Sequence, residues 1–502
     1  MASYSPVHER SGAPSVALRN GRWRRPGTWL IAVAVLHGVS PLIILGPGWY
    51  FGVDETIYLS QINAYTPAIR FSAPRARGVT LLAAPVTELT DSTTAVRLWL
   101  ALLSAIALYL AFRPWLRLRP GFVVPLAALL FSTIWTVIYY GFEVMPNYWV
   151  AVAAVAACGY ALRFVVEGRS RQLIALALAM AIVALLRPSD ALYGGFALVL
   201  CCLFIRGARR RRVGAAAAVV IGSGLGALEW VVEAYTRFGG LPNRIDLAQA
   251  ANGGPGPHFA VLDQWRTLAG PLLCRTGCQP GAPFLYQWWW LVLTALVVLG
   301  IAYSRRAREL ALDLVPALVG LVMAAQYFFG VSYSAPRFLI PAYALLSLPA
   351  ASGVMRLVRS TRPGTPRFAL QGALVLVLLL HAAIQLSVIT RHIAPSARDS
   401  SRVLLADAEK LASVGLRHPC IVRGKDGMGA PRLAYATRCA NVPAERAALR
   451  DRLEAGAHVI WPGTQVPSRY YGVTWKRVTL PLSSPEFPRT VYLSRERLRL
   501  GH

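Results

Sequence analysis

Long apolar runs alternate with short polar segments along most of the chain. A helix needs roughly 20 mostly apolar residues to cross the hydrocarbon layer of a membrane. Eleven stretches reach or come near that length, and we predict that each forms a membrane-spanning helix. They are residues 27–46, 93–112, 121–140, 147–165, 172–188, 190–206, 213–235, 285–304, 311–331, 337–357 and 369–389.

The fifth and sixth runs are short and meet at the polar segment Arg187-Pro188-Ser189-Asp190. They form either one long span or a helical hairpin. Arginines lie beyond both outer ends of the pair, which favours a hairpin whose two ends are on the same side of the membrane.

Arginine is concentrated in every second connecting segment. With the N-terminus in the cytoplasm, the cytoplasmic segments hold 23 arginines, whereas the outer segments 47–92, 141–146, 236–284 and 332–336 hold seven. Because short cytoplasmic loops are enriched in basic residues, the pattern predicts a multi-pass protein of the cytoplasmic membrane. Residues 1–26 are expected to form a disordered cytoplasmic arm.

An odd number of spans places the C-terminal segment 390–502 outside the cytoplasm. Its mixed pattern predicts a small α/β domain attached to an all-α polytopic membrane domain at 27–389. Helices are expected near Asp399–Gly415 and Pro443–Ala455, and strands near Cys420–Arg423, His458–Trp461 and Val473–Leu480.

Four of the seven cysteines fall in the predicted outer segments: Cys274, Cys278, Cys420 and Cys439. An oxidising compartment would allow the disulfides Cys274–Cys278 and Cys420–Cys439. Four free thiols are the alternative.

Composition supports the membrane assignment. Hydrophobic residues make up 55% of the chain and charged residues 15%, with a mean hydropathy of +0.47. A soluble domain carries about 25% charged residues, and a disordered chain is poor in hydrophobic ones. The net charge of +29 is typical of nucleic-acid-binding proteins, but the position of the arginines between apolar runs favours membrane orientation.

Ionisable residues at membrane depth are candidates for function because burying them is costly. Asp54 and Glu55 follow the first span. An adjacent carboxylate pair at the membrane boundary suits a general base, since partial burial raises a carboxyl pKa towards neutrality. The plainer alternative is that the pair only complements the dipole of a helix that starts there.

Further charged residues fall on the same predicted outer face. Basic side chains there would bind an anionic substrate beside the base, or would anchor to lipid headgroups. The set consists of Arg75, Arg77, Glu143, Arg187, Asp190, Glu229, Glu233 and Arg337.

The order of these motifs resembles the GT-C superfamily of integral-membrane glycosyltransferases, in the branch with protein O-mannosyltransferases and the lipid A aminoarabinose transferase. The resemblance covers about residues 27–390. The segments that carry it are Asp54-Glu55-x-x-Tyr58, Arg77-Gly78-x-x-Leu81-Leu82-x-x-Pro85, Glu143-x-Met145-Pro146-Asn147, Arg187-Pro188 and Pro336-Arg337-Phe338-Leu339-Ile340-Pro341.

The resemblance implies a transferase that moves a sugar, with mannose as the default, from a polyprenyl-phosphate donor to an acceptor hydroxyl outside the cytoplasm, with inversion. It implies a catalytic pair, with Asp54 as the base and Glu55 beside it orienting the acceptor or the base. It also implies Arg77, Arg187 and Arg337 at the donor phosphate. The substrate-binding residues that it implies are Tyr58, Arg75, Glu143, Asn147 and Asp190.

The resemblance leaves several points open. The acceptor is a secreted protein, an envelope glycan or an exported natural product, and nucleic acid is not expected as a partner. No cofactor is required, although a divalent cation between Asp54 and Glu143 remains open. The arginine bias, typical of a GC-rich genome, suggests an actinobacterial origin. The alternative function is a transporter or flippase of polyprenyl-linked sugars, for which internal helix-pair repetition would be expected.

Overall fold

The computed structural model describes residues 25–254, 256–275, 284–304, 306–424, 429–442, 458–463, 474–481 and 488–494. Each of the eleven apolar runs falls on one helix or on a pair of helices. The helices in these runs are α1 (Pro26–Ile44), α4 (Thr93–Phe112), α5 (Val123–Ser132), α6 (Trp135–Tyr140), α7 (Pro146–Glu167), α8 (Ser170–Leu186), α9 (Pro188–Phe204), α10 (Arg209–Arg237), α13 (Trp289–Ala302), α14 (Ala307–Phe329), α15 (Ile340–Ser360) and α16 (Thr365–Val388).

Eight helical segments within the described residues are long and apolar enough to cross a membrane, and α8 and α9, of 17 residues each, are apolar but shorter. The molecule is therefore a helical, multi-pass membrane protein with a small C-terminal sheet. Which end of each helix faces the cytoplasm stays a prediction.

The third apolar run is interrupted between α5 and α6, at Thr133 and Ile134. An interruption at membrane depth requires another partner for the freed backbone groups. The amide of Trp135 finds one in the side-chain oxygen of Gln385, at 3.0 Å. A polar residue of α16 thus stabilises the break.

Helices α8 and α9 are separate and contact each other, as the hairpin alternative predicts. The break is at Arg187, whose backbone is extended with φ −154°. Pro188 then starts α9, because proline lacks the N–H that a first helical residue does not need.

The connections predicted to be outside the cytoplasm contain four short helices among the described residues: α2 (Val53–Leu59), α3 (Gly78–Thr87), α11 (Leu241–Ala251) and α12 (Val261–Arg266). Gly78, at the start of α3, allows α3 to pack closely against the hairpin formed by α8 and α9. A Cβ at this position would lie 2.6 Å from the carbonyl oxygen of Leu185. Only glycine permits so close an approach, which brings the start of α3 to the chain segment just before Arg187.

The C-terminal part begins with α17 (Ala394–Ser413), which continues α16 through a π-helical turn at Ile389–Ile393. It includes a further helix, α18 (Ala430–Ala436). Five strands follow the order β2-β1-β3-β5-β4, with β1 parallel to β2 and β3, and β5 antiparallel to β3 and β4. They are β1 (Cys420–Arg423), β2 (Ala440–Val442), β3 (His458–Pro462), β4 (Trp475–Thr479) and β5 (Thr490–Ser494).

The strands near residues 420, 458 and 475 and the helix near residue 399 were expected and are present. The expected helix near Pro443–Ala455 lies outside the described residues. The disulfide Cys420–Cys439 is confirmed, whereas the pair Cys274–Cys278 includes a residue, Cys278, outside the described part.

The C-terminal part packs on the segment that precedes and follows Asp54. Arg432 donates to the carbonyl of Phe51 at 2.9 Å, and Asn63 donates to the hydroxyl of Tyr435 at 2.8 Å. Ser401 accepts from the amide of Tyr50 at 3.0 Å. These bonds place the sheet domain directly over α2.

Candidate active site

Asp54 lies in the first turn of α2, which begins after Gly52. Its neighbour Glu55 fixes this turn. The Glu55 carboxylate accepts from the Gly52 amide at 2.9 Å, and Arg97 of α4 donates to its two oxygens at 2.6 and 2.7 Å. The amide of Val144 adds a fourth bond at 2.8 Å.

The Glu55–Arg97 pair is almost fully buried, with side-chain exposures of 2% and 0%. The oxygens of Glu55 are thus occupied in holding α2 to α4 and to the turn before α7. This geometry is consistent with the positioning role that the resemblance implies for Glu55, next to Asp54.

Asp54 is 31% exposed and lies between two guanidinium groups. Arg75 approaches Oδ1 at 2.7 Å, and Arg337, which precedes α15, approaches Oδ2 at 3.2 Å. Arg187 is close enough for its charge to act on the same carboxylate. Three arginines from distant parts of the chain therefore surround one partly exposed carboxylate.

Burial by itself would raise the pKa of Asp54, but the charges of Arg75 and Arg337 and the hydrogen bond from Arg75 outweigh it and hold the pKa below its usual value. The expectation that Asp54 has a raised pKa was therefore wrong. The carboxylate is ionised at neutral pH, so it can accept a proton but is a weak base while both arginines are paired with it.

Arg187 is held by the hairpin turn and by aromatic rings. Its guanidinium carbon lies 5.2 Å from the ring centre of Tyr327 and 5.5 Å from that of Phe338, and Asp190 is 3.7 Å away. Asp190 is fully buried and accepts hydrogen bonds from Gln326 and Tyr327. Asp190 thus anchors the turn, and Arg187 remains 22% exposed beside Asp54.

Arg77 is not part of this cluster. It pairs with Glu233 at 2.6 Å and Glu229 at 3.4 Å, both on α10. Arg244 also binds Glu233, at 2.9 Å, and donates to the carbonyls of Ala73 and Arg75. Because Arg77 is paired with Glu229 and Glu233, this network holds the loop that carries Arg75 and keeps Arg77 apart from Asp54.

The other expected substrate-binding residues are buried around the cluster. Tyr58 is 5% exposed and packs edge-on against Phe71. Asn147 is fully buried, and its side-chain amide has no hydrogen-bond partner among the described residues. Glu143 is 6% exposed; burial first, and then the charge of Glu55, raises its pKa well above the usual value. Burial thus favours the neutral form of this carboxyl.

Two residues important to the site were not singled out from the sequence. Arg97 stands alone within the apolar run of α4, and a lone arginine at membrane depth is itself a signal for a buried acidic partner. Tyr140 hydrogen-bonds Arg337, and nothing in its sequence context distinguishes it from a core aromatic residue.

A divalent cation between Asp54 and Glu143 would have to displace Arg75 and Arg337, which donate to the two oxygens of Asp54. Among the described residues, the one cluster of three potential metal ligands is His418, Cys420 and Cys439, and its two cysteines are bonded to each other.

The overall fold is similar to that of solved membrane proteins. ArnT from Cupriavidus metallidurans bound to undecaprenyl phosphate aligns over 93% of this chain and 97% of its own, with 12% identity and a TM-score of 0.58. Its apo state aligns over 95% and 99%, with 11% identity and a TM-score of 0.62.

The archaeal oligosaccharyltransferase AglB from Archaeoglobus fulgidus, in complex with an inhibitory peptide and a dolichol-phosphate, aligns over 88% of this chain and 69% of its own, with 12% identity and a TM-score of 0.51. No protein-family model and no curated protein sequence matches the chain. The chain therefore shares the overall fold of ArnT and AglB.

Proposed function

We propose that the chain is a glycosyltransferase that moves a sugar from a polyprenyl-phosphate donor to an acceptor hydroxyl, on the side of the membrane where Asp54 lies. The observation that carries the proposal is the single partly exposed carboxylate among three arginines. Structures with this fold bind undecaprenyl phosphate and dolichol-phosphate, which supports a lipid-linked phosphate donor.

The cluster supplies both charges that the reaction needs. The hydroxyl oxygen of the acceptor attacks the anomeric carbon while the bond from that carbon to the phosphate oxygen breaks. The bonding electron pair stays on the polyprenyl phosphate, whose added charge Arg75, Arg187 and Arg337 stabilise. The acceptor proton passes to Asp54. A single displacement of this kind inverts the anomeric carbon.

The arginines also regulate the base. In the structure the Asp54 carboxylate is the anion that pairs with Arg75 and Arg337. When a donor phosphate enters, these guanidiniums are shared with it, and its negative charge raises the pKa of Asp54. The carboxylate then becomes a stronger base only when the donor is bound.

Mannose is the first sugar to test, and the outer face of the cytoplasmic membrane is the proposed location. Membranes that contain the full chain are supplied with polyprenyl-phosphate mannose and with other polyprenyl-phosphate sugars, and mass spectrometry follows sugar transfer and the release of polyprenyl phosphate. Transfer that depends on Asp54 supports the proposal. A donor that crosses the membrane intact, without release of polyprenyl phosphate, would instead support the flippase.

A further inference from the structure

A second cluster of arginines lies at the other end of the helix bundle. It surrounds a cavity of about 760 Å³ formed where α4 and α13 end, α5 and α14 begin, and α15 ends. Both α14 and α15 run from this cavity to the Asp54 cluster: Tyr327 and Arg337 lie at one end, and Arg308 and Arg359 at the other. Helices of this length separate the two clusters by about 30 Å.

Six arginines line the cavity: Arg117, Arg119, Arg306, Arg308, Arg356 and Arg359. Two of them are held by carboxylates. Arg119 pairs with the fully buried Asp313, and Arg356 pairs with Asp313 at 2.8 Å and with Glu309 at 3.6 Å. These pairs join Arg119, which follows α4, to α14, and α14 to α15.

The remaining four guanidiniums, of Arg117, Arg306, Arg308 and Arg359, form no ion pair or side-chain hydrogen bond with any residue in the described part of the chain. Four like charges around one cavity repel one another, and a bound anion removes that repulsion. Guanidinium groups favour phosphate because they donate parallel hydrogen bonds to its oxygens.

The wall of the cavity is also partly apolar, with Leu118, Val123, Leu312 and Met355 beside the arginines. A polar and an apolar wall together suit the headgroup of an anionic lipid. A soluble phosphate would use the same guanidiniums.

We infer that this cavity is a phosphate-binding site, separate from the Asp54 cluster and on the opposite side of the membrane. The inference does not rest on the proposed reaction, because binding is measured without any sugar donor or acceptor.

The test compares two triple variants of the full chain. Arg306→Gln/Arg308→Gln/Arg359→Gln removes three unpaired guanidiniums from the cavity. Arg171→Gln/Arg209→Gln/Arg210→Gln removes the same charge from exposed positions at the starts of α8 and α10, outside the cavity. Phosphatidylglycerol in nanodiscs of phosphatidylcholine is one probe, and inorganic pyrophosphate in detergent solution is the other.

We expect saturable binding of one probe to the unmodified chain, roughly tenfold or more weaker binding to the cavity variant, and little change in the control variant. Binding of phosphatidylglycerol identifies a lipid headgroup as the source, and binding of pyrophosphate identifies a soluble phosphate. Equal loss in both variants, or no saturable binding of either probe, overturns the inference. If the triple variant unfolds, the single variants Arg308→Gln and Arg359→Gln provide the same comparison.

Discussion

Asp54 and Arg337 are 283 positions apart in the chain, yet their side chains are joined by a contact of 3.2 Å. The contact connects α2, in the segment between α1 and α4, with the start of α15. Each of the two residues has a separate task in the proposed reaction, so each can be tested separately.

Replacing Asp54 with asparagine should lower sugar transfer by about 10²-fold or more, because a positioned general base contributes that much. Binding of polyprenyl phosphate should persist or tighten, since the variant removes a carboxylate that competes for the arginines. Initial rates and lipid binding measure the two effects.

The matched control for that variant is Asp263→Asn. Asp263 is also paired with an arginine and has a similar exposure, 34% against 31% for Asp54. Unchanged transfer by Asp54→Asn, or an equal loss in both variants, contradicts the assignment of Asp54 as the base.

Replacing Arg75 with glutamine should shift the pH dependence of transfer to higher pH. Transfer needs the ionised Asp54 carboxylate, so its rate falls as the pH drops through the pKa of that group. Arg75 keeps the pKa low; without it the pKa rises, and the acidic limb of the profile moves upward. Rates measured from pH 4 to 8 test this, and an acidic limb that stays in place argues against Asp54 as the titrating group.

Replacing Arg337 or Arg187 with glutamine should weaken donor binding and slow the release of polyprenyl phosphate, because each would lose charge-assisted bonds to the phosphate. Arg77→Gln acts as the comparison, because its guanidinium is paired with Glu229 and Glu233 and not with Asp54. It should affect stability more than the affinity for donor. If Arg77→Gln selectively lost donor affinity, Arg77 would be a donor-binding residue, as the resemblance implies.

Replacing Glu55 with glutamine should destabilise the protein by about 3–5 kcal/mol, because it leaves the buried Arg97 without a counter-charge. Thermal unfolding in detergent measures this. The double variant Glu55→Leu/Arg97→Leu removes both charges and should recover part of the loss. A Glu55→Gln protein that keeps its stability but loses transfer would instead show a direct catalytic part for Glu55.

Replacing Glu143 with glutamine should leave stability and transfer nearly unchanged, because burial raises the pKa of the carboxyl and favours its neutral form, and glutamine has nearly the same shape. Glu143→Ala should destabilise the protein, since it leaves a cavity in the core. If Glu143 ligated a divalent cation, the glutamine variant would lose activity that chelators also remove from the unmodified chain. Transfer assays with and without a chelator distinguish these outcomes.

The membrane-spanning helices were predictable because a span must be apolar along its whole length, so each corresponds to an apolar run in the sequence. The break at Arg187 was visible for the same reason, since Pro188 and Asp190 interrupt the run. The partners of the charged residues were not predictable. Arg75 and Arg77 are two positions apart, yet one meets Asp54 and the other meets Glu233, 156 positions away.

The direction of the pKa shift at Asp54 was also not predictable, because it depends on the partners of Asp54. Sequence shows that a residue lies near the membrane boundary and therefore predicts burial. It does not show that Arg75 and Arg337 arrive from two other segments and reverse the effect of burial.

The continuous helical connection from α16 to α17 couples the position of the sheet domain to that of the last membrane span. Because the last span continues through a π-helical turn into the first helix of that domain, a tilt of the span would be transmitted to the sheet domain and to the segment around Asp54 that it contacts. Helix tilt follows the match between hydrophobic length and bilayer thickness.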